Sequence, residues 1–243
     1  MKAYITGTDR GLGLALVATF LKHGYEVFAG CYGIDSTGLD ALKAQYGARL
    51  EIVPLDVSSD ASVAAAAQHI ANKTDRLDVL INNAAIIGQK DATVTDTGEQ
   101  VRLDFNDMLT VYNVNALGAL RVVQSVLALL RAGEMKRIVN ISSEAGSMAA
   151  RVRRGQKTRY AYCASKAALN IQSILLQNHV AEYGIKVHLI EPGWLRTFLA
   201  SKEKCTIAPT EPEESAERLA AFLQRTPPEY MFHDLFQDRQ FDW

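Results

Sequence analysis

A tyrosine and a lysine four positions apart, Tyr162 and Lys166, have the types and spacing to perform acid–base chemistry. Side chains four positions apart on a helix lie on one face, so the phenol and the ammonium can act on a single ligand. The ammonium favours phenolate, which predicts a tyrosine pKa lowered from about 10 toward neutrality. Such a pair can give a proton to a reacting oxygen or take one from it. The same spacing also occurs where a surface ring packs on a lysine stem.

A glycine-rich turn near the N-terminus supplies a second chemical signal. It runs Thr-Gly-Thr-Asp-Arg-Gly-Leu-Gly over residues 6–13 and follows a predicted strand at 2–6. Glycines between a strand and a helix let backbone amides approach a pyrophosphate, and the helix dipole adds positive charge there. Glycines also serve ordinary turns. The position of these three, Gly7, Gly11 and Gly13, before an amphipathic helix favours a dinucleotide site.

The elements that must position these residues alternate between short β-type runs and longer helical runs. The predicted strands are 2–6, 26–31, 50–53, 79–81, 137–141, 186–190 and 230–232, and the predicted helices are 11–23, 38–46, 61–73, 98–110, 111–131, 161–183 and 213–224. This alternation predicts an α/β fold, a Rossmann-type doubly wound parallel sheet with helices on both faces. Ligands of such sheets bind at the carboxyl ends of the strands, where the glycine turn falls.

Length and composition predict one ordinary globular domain. The chain has 243 residues, of which 48% are hydrophobic and 22% charged, and no linker-like segment interrupts it. We expect a single domain over 1–243, with a cofactor-binding half at about 1–110 and a catalytic and substrate half at about 111–243. The net charge of −1 gives no global attraction to nucleic acid, so no nucleic-acid partner is expected.

Cysteine use and hydropathy bear on the compartment. The three cysteines are an odd number without a C-x-x-C pair, which predicts a reducing compartment and no metal site. The first predicted strand begins at Lys2, and no apolar run reaches bilayer length, so we expect neither a signal peptide nor a membrane partner. These observations predict a cytoplasmic protein.

Six motifs occur in a fixed order along the chain. They are the glycine turn at 6–13, Asn82-Asn83-Ala84-Ala85, Asn115 three residues before Gly118, Ser143, Tyr162-x-x-x-Lys166 and Pro192-Gly193. In this order the chain resembles the short-chain dehydrogenases/reductases, from the first strand to about Gln224. The resemblance implies an oxidoreductase that transfers hydride between a nicotinamide and a carbonyl or alcohol substrate, with tyrosine as proton donor or acceptor.

The resemblance also implies roles for individual residues. The catalytic set would be Asn115, Ser143, Tyr162 and Lys166, with Ser143 rather than Ser142 binding the substrate oxygen and Asn115 linking a water to Lys166. The cofactor-binding set would be Gly7, Arg10, Gly11, Leu12, Gly13, Asp56, Val57, Asn83, Ala84, Ala85, Tyr162, Lys166, Pro192, Gly193 and Thr197. Asp56 would contact adenine, although a helix-capping role is an alternative from the sequence. Ala85 stands where the family commonly has glycine.

The choice between NAD and NADP depends on the residues near the adenosine ribose. An acidic residue at the end of the second strand would bind the ribose hydroxyls, whereas an arginine accommodates a 2′-phosphate. The second strand ends here in Cys31-Tyr32-Gly33, and Arg10 lies in the glycine turn. We therefore predict that NADP(H) is preferred over NAD(H).

A basic segment at 151–159 precedes Tyr162 and carries five Lys or Arg residues and no acidic one. It is either a solvated surface loop or a lip over the active site that attracts an anionic substrate or neutralises cofactor phosphates. Its length and the segment 191–197 resemble the sniffer and C-factor group of carbonyl reductases. Expected apolar walls of the substrate site are Met148, Trp194, Phe198 and Leu199.

Two functions from different classes follow from these motifs. The first is an NADP(H)-dependent carbonyl reductase or alcohol dehydrogenase acting on a small molecule. The second is a non-catalytic dinucleotide sensor or scaffold of the same fold, which would have no need of Tyr162 and Lys166. The family resemblance implies a homodimer or homotetramer, paired through the predicted helices at 111–131 and 161–183.

Overall fold

A computed structural model of the chain describes residues 1–94, 101–199, 204–225 and 231–243. Within these ranges the strands form one eight-stranded sheet in the order β3-β2-β1-β4-β5-β6-β7-β8. The strands are β1 (Lys2–Thr6), β2 (Glu26–Cys31), β3 (Leu50–Pro54), β4 (Val79–Asn82), β5 (Arg137–Ile141), β6 (Lys186–Glu191), β7 (Phe232–Asp234) and β8 (Arg239–Gln240). Strands β1 to β7 pair in parallel and β8 is antiparallel to β7. The order reverses between β1 and β4, which is the switch point where such sheets bind ligands.

Helices cover both faces of this sheet, as the alternating sequence pattern predicts. They are α1 (Gly11–Lys22), α2 (Thr37–Tyr46), α3 (Asp60–Ala71), α4 (Phe105–Tyr112), α5 (Gly118–Ala132), α6 (Met148–Arg154), α7 (Tyr160–Val180) and α8 (Pro212–Gln224), and a π-helical turn (Asn113–Leu117) joins α4 to α5. The predicted single-domain, doubly wound α/β fold is confirmed.

The core has two layers, one on each face of the sheet. In β4, Val79 and Ile81 belong to the layer under α1 and α8, while Leu80 belongs to the layer under α3 and α5. Alternate residues of a strand face opposite sides, and a central parallel strand is buried on both. This explains why its sequence is a continuous apolar run. The polar ends of the central strands are thereby fixed at one edge of the sheet.

Two elements differ from the sequence prediction at the C-terminal side of the sheet. The basic segment begins as a helix, α6, because the Ser147 hydroxyl accepts the N–H of Ala150 at 3.0 Å and Gly155 ends the helix with φ 57°. Strand β8 was not predicted, because its two residues carry no periodicity. The predicted strand 230–232 corresponds to β7, and residue 230 lies outside the described residues.

The predicted helix at 98–110 starts later than expected. Residues 95–100 lie outside the described residues, and α4 begins at Phe105. Asp104 fixes that start, since its carboxylate accepts the N–H groups of Asn106 at 2.8 Å and Asp107 at 3.3 Å. A side chain that satisfies free N–H groups defines a helix start better than apolar spacing does.

One helical segment among the described residues, Phe105–Ala132, is long and apolar enough to cross a membrane by length and composition alone. Within the fold, 44% of its most apolar window is buried. Val122, Val126 and Leu130 of this segment belong to the core layer under α3 and α5. Packing against the sheet accounts for the apolar character of these three residues.

Candidate active site

The glycine turn between β1 and α1 leaves no room for side chains at two positions. A Cβ on Gly13 would lie 2.0 Å from the carbonyl oxygen of Gly7, and a Cβ on Gly7 would lie 2.7 Å from the Cα of Ala84. Gly7 and Gly11 also have φ angles of 67° and 58°, which residues with a Cβ rarely adopt. Glycine at these positions therefore lets the backbone itself form the wall of a cleft.

The first turn of α1 is available to an anion. No side chain of the described residues caps it, so its N–H groups and the positive end of the helix dipole face the cleft. The cleft has a volume of about 1340 Å³. That exceeds the upper end, about 1,000 Å³, of usual small-molecule sites. The turn thus fits a pyrophosphate, and the cleft has room for a dinucleotide together with a substrate.

Asn83 joins the glycine turn to the end of β4. Its side-chain amide donates to the carbonyl oxygens of Thr6 and Gly7, both at 2.9 Å. The Thr6 hydroxyl in turn accepts the N–H groups of Asn83 at 3.0 Å and Ala84 at 3.1 Å. This network places Ala84 and the neighbouring Ala85 along the cleft, where the resemblance expects them.

Asp56 lies at the cleft and also holds the turn that precedes α3. Its Oδ1 accepts the N–H of Ser58 at 2.9 Å and the Ser58 hydroxyl at 2.6 Å. The helix-capping alternative for Asp56 is wrong, because Ser59 caps α3 by accepting the N–H of Ser62, while Asp56 lines the cleft as the resemblance expects. Val57 beside it also lines the cleft, and its Cγ2 would lie 2.9 Å from a Cβ on Gly118.

Asp9 is a residue of the cleft that the sequence prediction missed. Its carboxylate accepts the N–H groups of Tyr32, Gly33 and Ile34 at 3.0, 2.7 and 2.9 Å and the thiol of Cys31 at 3.2 Å. Burial would raise the pKa of this carboxyl, but these donors outweigh burial and hold its pKa below the usual value. Asp9 therefore fixes the loop after β2. An acidic side chain inside a glycine turn was the available signal.

Arg10 lies at the same end of the cleft. Its guanidinium carbon is 5.1 Å from the ring centroid of Phe198, which is a cation–π distance. Tyr32 and Ile34 line the cleft with it. Because Asp9 holds the loop and Arg10 carries a positive charge, this corner is suited to an anionic group.

The loop after β6 closes the cleft from the opposite side. Gly193 has φ 87°, and its N–H donates to Glu191 Oε1 at 3.0 Å. Thr197 lies against the glycine turn, since a Cβ on Gly11 would approach its side chain to 3.4 Å. Pro192, Gly193 and Thr197 all line the cleft.

Tyr162 and Ser143 meet at the inner end of the cleft. Tyr162 is 7% exposed and lines the cleft together with Ser143. Burial raises the pKa of Tyr162 above its ordinary value, and the neighbouring Ser143 side chain opposes that only in part. The expectation of a lowered tyrosine pKa is therefore wrong for this structure. Ser142 is turned away, with its hydroxyl donating to Asn170 Oδ1 at 2.5 Å.

Lys166 lies under the tyrosine ring. It is 2% exposed, its Nζ lies 5.8 Å from the ring centroid of Tyr162, and it donates to the carbonyl oxygen of Ile141 at 2.7 Å. Burial lowers the pKa of Lys166 to about 8. The helical spacing thus brings the Tyr162 ring and the Lys166 ammonium together, but the ammonium donates its hydrogen bond to the last residue of β5.

Asn115 lies in the π-helical turn, 2% exposed. Its amide donates to the carbonyl oxygen of Ile86 at 2.8 Å and to Ser165 Oγ at 3.0 Å, and its oxygen accepts the Ile86 N–H at 2.8 Å. A small cavity of about 10 Å³ separates Asn115 from Lys166. That is close to the volume one water molecule needs.

Glu191 is the second residue of the site that the sequence prediction missed. Its two carboxylate oxygens accept the N–H groups of Glu144 and Gly193, so it ties the loop that carries Ser143 to the loop after β6. Burial raises the pKa of Glu191 to about 7. A carboxylate that ends an apolar strand directly before Pro192-Gly193 was the available signal.

The outer part of the cleft is lined by the basic segment. Arg151, Arg153, Arg154, Gln156 and Arg159 line it together with Trp194, Phe198 and Leu199. Met148, predicted as a wall, is 70% exposed and does not line the cleft. The segment therefore forms a rim of the cleft.

Fold and site together define a doubly wound α/β protein with a glycine cradle and a buried tyrosine and lysine pair in one cleft. The family model for short chain dehydrogenases matches residues 1–207, and the chain belongs to that family. The predicted family is confirmed.

Individual relatives agree with this membership. Human retinol dehydrogenase 16 is 35% identical over 203 residues, which cover 83% of this chain and 59% of the relative. The chain thus matches less than two thirds of the length of that curated relative. The NADPH-bound carbonyl reductase from chicken fatty liver is 28% identical with a TM-score of 0.85, covering 100% of this chain and 98% of that one. Carbonyl reductase Sniffer of Drosophila melanogaster shares the fold, at 22% identity, TM-score 0.85 and coverage of 100% and 99%.

Proposed function

We propose that the chain is an NADP(H)-dependent oxidoreductase that reduces a carbonyl group, with Tyr162 as the proton donor. The observation that carries this proposal is the buried Tyr162, which lines the cleft beside Ser143 and has the Lys166 ammonium 5.8 Å from its ring centroid. The glycine cradle and the NADPH-bound relative support the choice of cofactor.

The residues of the chain have separate tasks in this reaction. The glycine turn would hold a nicotinamide cofactor, whose chemistry when bound would be hydride transfer to the carbonyl carbon. Ser143 and Tyr162 both offer hydroxyl protons to the carbonyl oxygen, where negative charge develops. The phenol of Tyr162 is protonated at neutral pH, since even its ordinary pKa is about 10, and it donates to an oxygen that becomes more basic as hydride arrives. The ammonium of Lys166 then stabilises the phenolate that proton donation leaves behind.

Tyr162 regains its proton through the buried side of the site. The cavity between Asn115 and Lys166 accommodates about one water, which would hydrogen-bond the Lys166 ammonium. Asn115 holds its side of the cavity through Ile86 and Ser165. Asn115 is thus a positioning residue for this relay.

The test compares Tyr162→Phe with Tyr160→Phe, a matched control two residues earlier on the exposed side of α7. NADPH oxidation is followed with ketones, aldehydes and quinones, and NADP⁺ reduction with alcohols that include retinol. We expect Tyr162→Phe to lower the rate by about 10² to 10⁴ and Tyr160→Phe to leave it unchanged. Equal activity of both variants would refute the proton-donor role, and inactivity of the wild type on the whole panel would favour the sensor function. If NADP⁺ reduction by an alcohol were faster than NADPH oxidation by the carbonyl compounds, the preferred direction would be alcohol oxidation, as the name of the retinol dehydrogenase relative indicates for that protein.

Preference for NADP(H) follows from Arg10. Its guanidinium lines the cleft at the loop held by Asp9 and can form paired hydrogen bonds with a phosphate. We expect Arg10→Ala to lower kcat/KM for NADPH about 10- to 100-fold and for NADH much less. Equal losses with the two cofactors would contradict this assignment.

The proposed enzyme forms a homodimer through α7 and the neighbouring α4. Ile171 and Leu175 of α7 are 54% and 62% exposed, and Phe105 and Leu109 of α4 are 70% and 65% exposed. Each pair lies four positions apart, on one face of its helix. Leu169, by contrast, is buried in the core.

A further inference from the structure

Arg159 occupies a constrained position directly before α7. Its backbone has φ 64° and ψ 38°, a left-handed conformation that is strained for a residue with a Cβ. Its N–H donates to the carbonyl oxygen of Lys90 at 3.1 Å, and its own carbonyl accepts the N–H of Cys163 at 2.9 Å. Hydrogen bonds on both sides therefore hold Arg159 one helical turn ahead of Tyr162, about 5 Å along the helix axis.

The positive charge of Arg159 lies on the rim of the cleft that holds the reacting groups. Its side chain lines the same cleft as Tyr162 and Ser143. Although burial raises the pKa of both Tyr162 and Cys163, the charge of Arg159 acts on each of them in the lowering direction. The guanidinium is therefore within electrostatic reach of the tyrosine hydroxyl.

The other arginines of the basic segment already have carboxylate partners. Arg151 and Arg154 both bind Glu144, at 2.5 and 2.6 Å, and Arg153 binds Asp242 at 2.9 Å. The guanidinium of Arg159 has no hydrogen-bond or ion-pair partner in the part of the chain that the structure describes. Glu144 is shared by two cations, so the rim keeps a net positive charge beside the one arginine that is free to bind a ligand.

We propose that Arg159 is a substrate-specificity residue that binds a carboxylate of the substrate while the carbonyl of that substrate is held by Tyr162 and Ser143. The substrate class is then an aldehyde or ketone that carries a carboxylate a few bonds from its carbonyl group. This inference rests on the proposed carbonyl reduction. The cofactor phosphates are a poorer partner, because their place is the glycine turn at the N-terminus of α1, whereas Arg159 belongs to the segment that leads into Tyr162.

The test uses two substrates that differ only in charge, 4-carboxybenzaldehyde and its neutral methyl ester. Wild type, Arg159→Met, Arg159→Lys and Lys157→Met are compared by kcat/KM with NADPH. We expect the wild type to prefer the acid and Arg159→Met to lower the ratio of acid to ester about 10- to 100-fold, the contribution of one charged hydrogen-bond pair. Arg159→Lys should restore part of the ratio, and Lys157→Met, at a residue of the same segment that does not line the cleft, should keep it.

Binding of the corresponding alcohols separates this inference from the proposed reaction. Calorimetry with 4-(hydroxymethyl)benzoate and its methyl ester reports recognition of the carboxylate even if no hydride is transferred. We expect tighter binding of the acid to the wild type and equal binding of both compounds to Arg159→Met. Equal affinity of the wild type for acid and ester, or an Arg159→Met ratio equal to that of the wild type, overturns the proposal.

Discussion

Glu191 should make the stability of this protein depend on pH in an identifiable way. Burial, reinforced by Glu144 and Asp234, raises the pKa of Glu191 from 4.5 to about 7 even though two N–H groups stabilise its charge. Each pKa unit corresponds to about 1.4 kcal/mol, so ionising Glu191 costs about 3 kcal/mol more in the folded state than in the unfolded state. Between pH 4.5 and 7 the folded state binds more protons than the unfolded state. The free energy of unfolding therefore falls as the pH rises from 4.5 to 7, and Glu191 accounts for up to about 3 kcal/mol of that fall.

The perturbation is Glu191→Gln, which removes the titration and keeps the shape. At pH 5 the variant should be less stable than the wild type, because the amide NH₂ faces a backbone N–H that the carboxyl accepted, at a cost of about 1–3 kcal/mol. By pH 8 the difference in unfolding free energy between wild type and variant should have shrunk or reversed, because Glu191 of the wild type is then ionised while buried.

The assay is urea denaturation of wild type and variant at pH 5, 6, 7 and 8. All other titrating groups are common to both proteins, so the difference between their unfolding free energies isolates Glu191. Glu182→Gln, at an exposed glutamate in the turn after α7, is the matched control and should give a difference that does not change with pH. A constant difference for Glu191→Gln as well would refute the reasoning that burial governs this carboxyl.

Three further outcomes can be measured directly. Gly13→Ala should destabilise the fold by about 1–3 kcal/mol and raise the KM for NADPH at least about 10-fold, because its Cβ would meet the Gly7 carbonyl at 2.0 Å; an unchanged KM would contradict the cradle. The folded-state pKa of Asp9 is lowered, so its contribution is present at neutral pH and lost on acidification below about pH 4. In urea denaturation the unfolding free energy of Asp9→Asn should therefore fall less than that of the wild type between pH 6 and 3. An equal fall in both proteins would contradict a stabilising role for the Asp9 carboxylate. Leu175→Glu should convert a dimer to a monomer in light scattering, whereas a persistent dimer would place the interface elsewhere.

The sequence alone determined the elements and most positions of the site because their signals are local. Residues 26–31 and 137–141 form strands as the apolar runs indicate, and Gly11 begins α1 where the glycine spacing places it. Tyr162 and Lys166 share a helix face because the helical repeat requires it. The ordered motifs also identified the family, since each motif is a short stretch of chain.

The tertiary structure alone decided the electrostatics of these same residues. The sequence placed a cation beside Tyr162 and predicted a lowered pKa, but burial under strands and loops from distant parts of the chain raises it. Asp9 and Glu191 acquired their roles from N–H groups of other loops. Among the described residues Glu144 and Asp242 bind the neighbours of Arg159 and leave its own guanidinium unpaired. Desolvation and pairing depend on atoms far apart in sequence, so spacing can name the reacting groups while packing sets their charge.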